Sequence, residues 1–150
     1  MNKLPIRPVS TGDIPAIKGI IESTGLFPAA YLDDMFSNSN EPEFWLTYDV
    51  GEPVAVAYVV PEPMTSGTYN LLLIAVHKRH QSDGIGQKIM SYVENRLRNE
   101  GARVLLVETS GTNEFTRTRN FYQLLGYENE ARIRDYYDAG DDKVVFRKSL

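Results

Sequence analysis

Cysteine is absent from this 150-residue chain. Its absence excludes disulfides, a thiolate metal site and a cysteine nucleophile. Histidine is scarce, with only His77 and His80, and no cysteine or carboxylate pattern at ligand spacing accompanies them, so no metal is expected. No apolar run approaches the roughly 20 residues of a membrane span. The opening MNKLPIRPVS has no apolar stretch of the kind a signal peptide needs. The expectation is a cytoplasmic chain that engages no membrane. Basic residues are outnumbered, 16 against 20 acidic, for a net charge of −4, which argues against non-specific nucleic-acid binding. There is also no repeat, low-complexity stretch or linker, and no G-x-S-x-G elbow.

What remains is an ordinary globular composition, 42% hydrophobic and 24% charged. The length suits one domain, residues 1–150, with a core of its own. The most informative stretch runs from Leu71 to Val107. Leu71–Val76 is too apolar to alternate and predicts a strand buried on both faces. A polar segment from His77 closes on Gly84-Ile85-Gly86. Ile85, Ile89, Val93 and Leu97 then recur every fourth residue, with Tyr92 between them, as on a helix that Gly101 stops. Glycines at such a turn let backbone approach a bulky ligand, and a helix start presents unpaired N–H groups and partial positive charge. Together they suit an anion, most often phosphate, although many glycine turns serve packing alone. The P-loop pattern and the three-glycine dinucleotide fingerprint are both missing here.

Elsewhere the chain alternates strands and helices. Lys3–Val9, with Pro5 and Pro8, predicts an edge strand. Ser10–Asp13 offers capping groups for a helix to about Ser23, with Pro15 in its first turn and Ile14, Ile17, Ile20 and Ile21 inward. After a break at Thr24–Pro28, Ala29–Phe36 reads as a second short helix. Phe44–Asp49 and Pro53–Val60 form a hairpin. Val104–Thr109 is a further buried strand, Glu114–Leu125 a helix ended by Gly126, and Tyr127–Tyr136 with Lys143–Lys148 a final hairpin. A crossover between two hairpin regions predicts an α/β fold, a mixed central sheet with helices on both faces.

Two segments carry a family resemblance. Gln81-Ser82-Asp83-Gly84-Ile85-Gly86, behind Ile74-Ala75-Val76, resembles the Q/R-x-x-G-x-G/A acetyl-CoA signature of the GNAT N-acetyltransferases. Asn120–Tyr127, NFYQLLGY, resembles the F/L-Y-x-x-x-G-F/Y segment of the same family. The match covers roughly Leu71 to Leu150 and is locally similar to the ribosomal-protein alanine N-acetyltransferases. It implies the GNAT (acyl-CoA N-acyltransferase) fold and acetyl-CoA as acyl donor. It also implies splayed central strands, with Ile74, Ala75 and Val76 pairing the pantetheine amides. Backbone from Ser82 to Gln87 would hold the pyrophosphate, with Gln81, Asp83, Gly84, Ile85 and Gly86 in the same turn. The family shapes its acceptor pocket at the helix–break–helix, which Phe27, Tyr31 and Asp34 would line; the alternative is that Phe27 and Tyr31 pack the core.

An amine with a pKa of about 10 needs a base at neutral pH. Glu108, ending the apolar Val104–Val107 run, is the candidate base. It can equally be an arginine partner or a solvated strand end. The alanine N-acetyltransferases place their base glutamate at this strand end and an asparagine five residues on, as Asn113 is here. Asn113 would bond the pantetheine arm, or else cap a helix. Tyr122, in the family segment, is the candidate acid for the departing thiolate; the alternative is a packed tyrosine. The chain departs from the pattern in the longer spacing from Asn113 to Tyr122 and in Asp83 within the pyrophosphate turn. An acidic turn (Asp138, Asp141, Asp142) also follows Asp135-Tyr136-Tyr137. Arg132 and Arg134 reach the cofactor's 3′-phosphate or solvent. The expected activity is acetyl transfer to a primary amine, on a small molecule or a peptide N-terminus, in a ternary complex. The rivals are a non-catalytic acyl-CoA sensor or assembly module, and a purely structural sheet domain. A homodimer is expected from fold habit alone.

Overall fold

A computed structural model describes residues 5–150. They fall into two compact units, one of residues up to 60 with 73–95, the other of residues 61–72 with 96–150.

In the first unit, β1 (Ile6–Pro8) pairs antiparallel with β2 (Phe44–Asp49), which pairs antiparallel with β3 (Pro53–Pro61). β1 ends the sheet, where its proline forfeits no ladder bond. The expected start of this strand at Lys3 lies outside the described residues. Helix α1 (Ile14–Thr24) follows a capping box in which Ser10 donates from its backbone N–H and its hydroxyl to Asp13 Oδ2, at 2.8 and 3.1 Å. Gly25, at φ 68°, stops the helix in the left-handed conformation that glycine tolerates. The Arg7 guanidinium grips both Asp13 oxygens, at 2.7 and 2.9 Å, and reaches Asp49 at 2.9 Å, tying β1, α1 and β2 together. That hydrogen bond pulls the Asp13 carboxyl far below the usual range, against the opposing effect of burial.

α1 buries Ile14, Ile17, Ile20 and Ile21, and with Leu32 of α2 (Leu32–Ser37) it packs on Trp45, Val56 and Tyr58. β2 and β3 are buried at successive residues, hence on both faces. The remaining α-helix of this unit among the described residues is the start of α3 (Ile85–Asn99), which buries Ile85, Ile89, Met90 and Val93.

In the second unit, the start of β4 (Thr68–Val76) runs parallel to β5 (Val104–Ser110), from Thr68 opposite Val104 to Leu71 opposite Val107. β7 (Asp141–Ser149) pairs antiparallel with β5 and with β6 (Glu128–Asp138). Helix α4 (Thr116–Leu124) precedes β6. The strands form one mixed sheet in the order β1-β2-β3-β4-β5-β7-β6, the α/β arrangement expected. β6, the far edge, is exposed at every residue and irregular in register after Asn129 and Ile133, features that blunt an edge. No helix among the described residues is long and apolar enough to cross a membrane.

One expectation needs correction. Leu71–Val76 is not buried on both faces: Leu71, Leu73 and Ala75 are buried, whereas Leu72 is 52% exposed and Ile74 and Val76 are half-buried. Alternate strand residues face opposite ways, and here the apolar residues of both sets differ in cover. An apolar run marks hydrophobic side chains on two faces, not burial of both.

Candidate active site

The turn behind β4 is held by backbone together with the side chains of His77 and Gln81. The His77 N–H closes on Val54 O at 2.8 Å, and His77 Nδ1 accepts from the Arg79 N–H at 3.1 Å, folding a single 3-10 turn at Lys78–His80. Gln81 reaches back from Nε2 to Val76 O at 3.1 Å, so it braces the strand end. Ser82 and Gly84 then take positive φ, 77° and 76°. This is a strained conformation for serine and an ordinary one for glycine. A Cβ on Gly84 would meet nothing within 4 Å, so conformation rather than packing calls for glycine here. Gln81, Ser82, Asp83 and Gly84 are all exposed, Ile85 is buried and anchors α3, Gly86 is half-buried and Gln87 exposed. The Asp83 side chain is 60% exposed and stands 3.6 Å from His80 Nδ1, pointing its charge into solvent. Within α3 the first backbone bond from this turn is Lys88 N–H to Gly84 O at 3.2 Å. A helix start leaves its first N–H groups, here those ahead of Lys88, without intrahelical acceptors. The turn therefore fits the anionic pyrophosphate of acetyl-CoA. Ile74 and Val76 are half-buried beside it on β4, while Ala75 belongs to the core.

In the second unit, Glu108 is neither an arginine partner nor a freely solvated strand end. Its Oε1 accepts from Asn70 Nδ2 at 2.9 Å, and its Oε2 lies 3.0 Å from Lys143 Nζ. Asn70 Nδ2 also donates to Glu62 Oε1 at 2.8 Å. Lys143 is held above the usual ammonium range. Burial lowers it, but the Glu108 bond and charge outweigh that effect. Its ammonium also sits 4.2 Å from the centre of the Tyr136 ring. Tyr137 is pushed up by burial and then by the Glu108 charge.

Tyr122 is 2% exposed on α4, with Phe121, Tyr127 and Phe146 rings 5.3 to 5.8 Å away, centre to centre. Burial pushes its hydroxyl well above the usual phenol range, so it keeps its proton. These surroundings are those of a packed tyrosine that stays protonated. Asn113 is exposed and does not cap α4's lead-in turn; Thr112 holds that position. Thr116 Oγ1 donates to Asn113 O at 2.9 Å.

Other candidates divide. Phe27 packs against the core cluster, whereas Tyr31 and Asp34 are exposed. Arg132 Nη1 binds Asp142 at 2.7 Å, and the Asp135 N–H reaches the other Asp142 oxygen at 2.9 Å, so both side chains are engaged within the hairpin. Sequence reasoning missed Asn70, Glu62 and Lys143, and what Arg119 binds. This arginine donates to Ser110 O and Thr112 O at 2.7 and 2.8 Å and pins the loop before α4. The available signal for Asn70 was a lone amide at the start of an apolar strand.

Comparison with known proteins shows the family. The model of the acetyltransferase (GNAT) family matches residues 18–127. The ribosomal protein bS18-alanine N-acetyltransferase of Escherichia coli (strain K12) is 27% identical over 144 residues, 93% of each chain. A GNAT-family crystal structure from Desulfovibrio desulfuricans shares 32% identity and a TM-score of 0.86, covering 96% of this chain and 97% of that one. An aminoglycoside 6′-N-acetyltransferase complexed with coenzyme A shares the fold, at 15% identity and a TM-score of 0.77, with 96% of each chain covered. The chain belongs to the acetyltransferase (GNAT) family, whose members are acetyl-CoA-dependent N-acetyltransferases.

Proposed function

We propose that residues 1–150 act as one acetyltransferase domain. It moves an acetyl group from acetyl-CoA to a primary amine, of a small molecule or a protein N-terminus, by direct transfer in a ternary complex. The observation that carries this reading is the Gln81–Gly86 turn, where two positive-φ residues open onto the start of a 15-residue helix. Ser82–Gln87 would hold the pyrophosphate, with Gln81 bracing the turn, and Ile74–Val76 and Asn113 would hold the pantetheine arm. Acetyl-CoA, when bound, supplies the thioester: the amine nitrogen bonds to the acetyl carbon, the carbon–sulfur bond breaks, and the sulfur leaves as a thiol.

The chain's own residues move the protons. A protonated amine carries three. Glu108 takes one, through water, to free the lone pair for attack, and later passes it to solvent. Tyr122 donates its hydroxyl proton to the departing sulfur and is reprotonated by the second proton that the nitrogen releases. The third stays on the amide. The E. coli relative's alanine acceptor supports an N-terminal alanine as the first substrate to try. Thiol release and product mass are to be followed with an alanine-initiated peptide and with a small aliphatic diamine. Turnover that Tyr122→Phe cuts at unchanged acetyl-CoA binding is the expected result. Binding without turnover on either amine would favour the acyl-CoA sensor instead.

A further inference from the structure

We infer that Asn70 is a positioning residue for Glu108: its side-chain amide and the Lys143 ammonium hold the two carboxylate oxygens from separate sides. This rests on reading Glu108 as the base. Asn70 lies opposite Leu106 in the β4–β5 ladder, two residues before Glu108 on β5, and is 1% exposed. Its nitrogen donates to Glu108 Oε1 at 2.9 Å and to Glu62 Oε1 at 2.8 Å. Carboxylates only accept, so the partners themselves decide which end of the amide carries the hydrogens. Both N–H bonds are thereby used.

The other end of the amide is costly. Asn70 Oδ1 is buried with no hydrogen-bond partner among the described residues. An apolar side chain of similar size would fill the position without that cost, so packing alone does not account for an amide here. Charge geometry does. A planar amide with one hydrogen on each acceptor sets the two carboxylate oxygens about 5 Å apart, with a fixed dipole between like charges. Lys143 takes Glu108 Oε2 at 3.0 Å. Gripped at both oxygens, the carboxylate cannot rotate about its last bond. Each oxygen keeps a second lone pair for the incoming proton. A base fixed in this way meets its proton in one orientation, and misplacement by an ångström in such sites can cost about 100-fold.

The test is a double-mutant cycle on the full chain, with acetyl-CoA and whichever of the alanine-initiated peptide and the aliphatic diamine is acetylated faster. Asn70→Ala is expected to lower kcat about 10- to 100-fold while the KM for acetyl-CoA stays within about twofold. In a Glu108→Gln background the same change should lower kcat no further, because its effect runs through Glu108. Asn70→Ser, which keeps one donor, should recover part of the rate and covers the case in which the alanine variant does not fold. Without any substrate, the Asn70 side-chain amide signals in an NMR spectrum should move in Glu108→Gln. If Glu108→Gln alone leaves kcat unchanged, or neither amine is acetylated, the base reading falls and this inference with it. If Glu108→Gln is slow but Asn70→Ala and Asn70→Ser match the unmodified chain, or the losses simply multiply, Asn70 does not position the base although Glu108 remains one.

Discussion

The turn from Gln81 to Gly86 and the strand end at Glu108 are built in opposite ways. In the turn the groups proposed to bind the cofactor are backbone amides, placed by two positive φ angles within three residues of chain. At Glu108 the groups are side chains brought from β3's end, β4, β5 and β7: Glu62, Asn70, Glu108 and Lys143. A backbone site tolerates changes of most side chains and fails when a dihedral is denied. A side-chain site tolerates backbone neighbours and fails when a single donor is lost. On the proposed function, the first would serve a ligand recognised by its anionic phosphates, the second a proton that must be met at one oxygen.

The contrast is open to attack at both ends. The largest effect is expected for Glu108→Gln, a loss of at least about 100-fold in kcat with acetyl-CoA affinity retained, read by thiol release. Equal rates would remove the side-chain site from the chemistry. Tyr122→Phe comes next, about 100-fold in kcat. Because burial raises the Tyr122 hydroxyl, the proton stays in place as pH passes the ordinary phenol value of about 10. The rate should therefore not fall there, and a decline centred near that value would oppose the acid role. Gly84→Ala forces a side chain into φ 76°, which costs about 1–2 kcal/mol, and should weaken acetyl-CoA about tenfold in a titration. Gly101→Ala, at φ 86° with equally open space, is the control: it should lower the melting temperature and leave cofactor affinity alone.

The smallest effect lies away from both sites. Asp13→Asn breaks the grip of Arg7 and should cost about 2 kcal/mol of stability at neutral pH, measured by denaturant unfolding. The Asp13 carboxyl is depressed in the folded chain by the Arg7 bond. Its stabilisation is thus present above the ordinary carboxylate value of about 3.9 and lost as pH falls below it. The gap between the two proteins should narrow on acidification. A gap that widened would reverse the assignment.

These two building styles also explain what could be read from the chain. The strands, the four α-helices of the described residues and the glycine turn follow from local patterns: the Ser10–Asp13 box, the fourfold spacing from Ile85 to Leu97, and glycines at Gly25, Gly101 and Gly126 with φ of 68°, 86° and 89°. Burial of β4 was not local, since Leu72 and Leu73 are chemically alike and differ only in which face they occupy. The surroundings of Glu108 were less legible still. Asn70 and Glu108 stand 38 residues apart, and only the parallel register of β4 and β5 brings them within reach. Arg132 was legible as a cation but not as the partner of Asp142, because the pairing depends on the irregular register of β6.

The most direct measurement is a thermal unfolding series of the full chain with increasing acetyl-CoA. Ligand that binds only the folded state stabilises it by mass action, about 2.7 kcal/mol at 100 times its Kd. The predicted result is a melting temperature that climbs with concentration in the unmodified chain and needs more acetyl-CoA to climb equally in Gly84→Ala. A melting temperature indifferent to acetyl-CoA would contradict the reading of the turn and the acetyl transfer built on it.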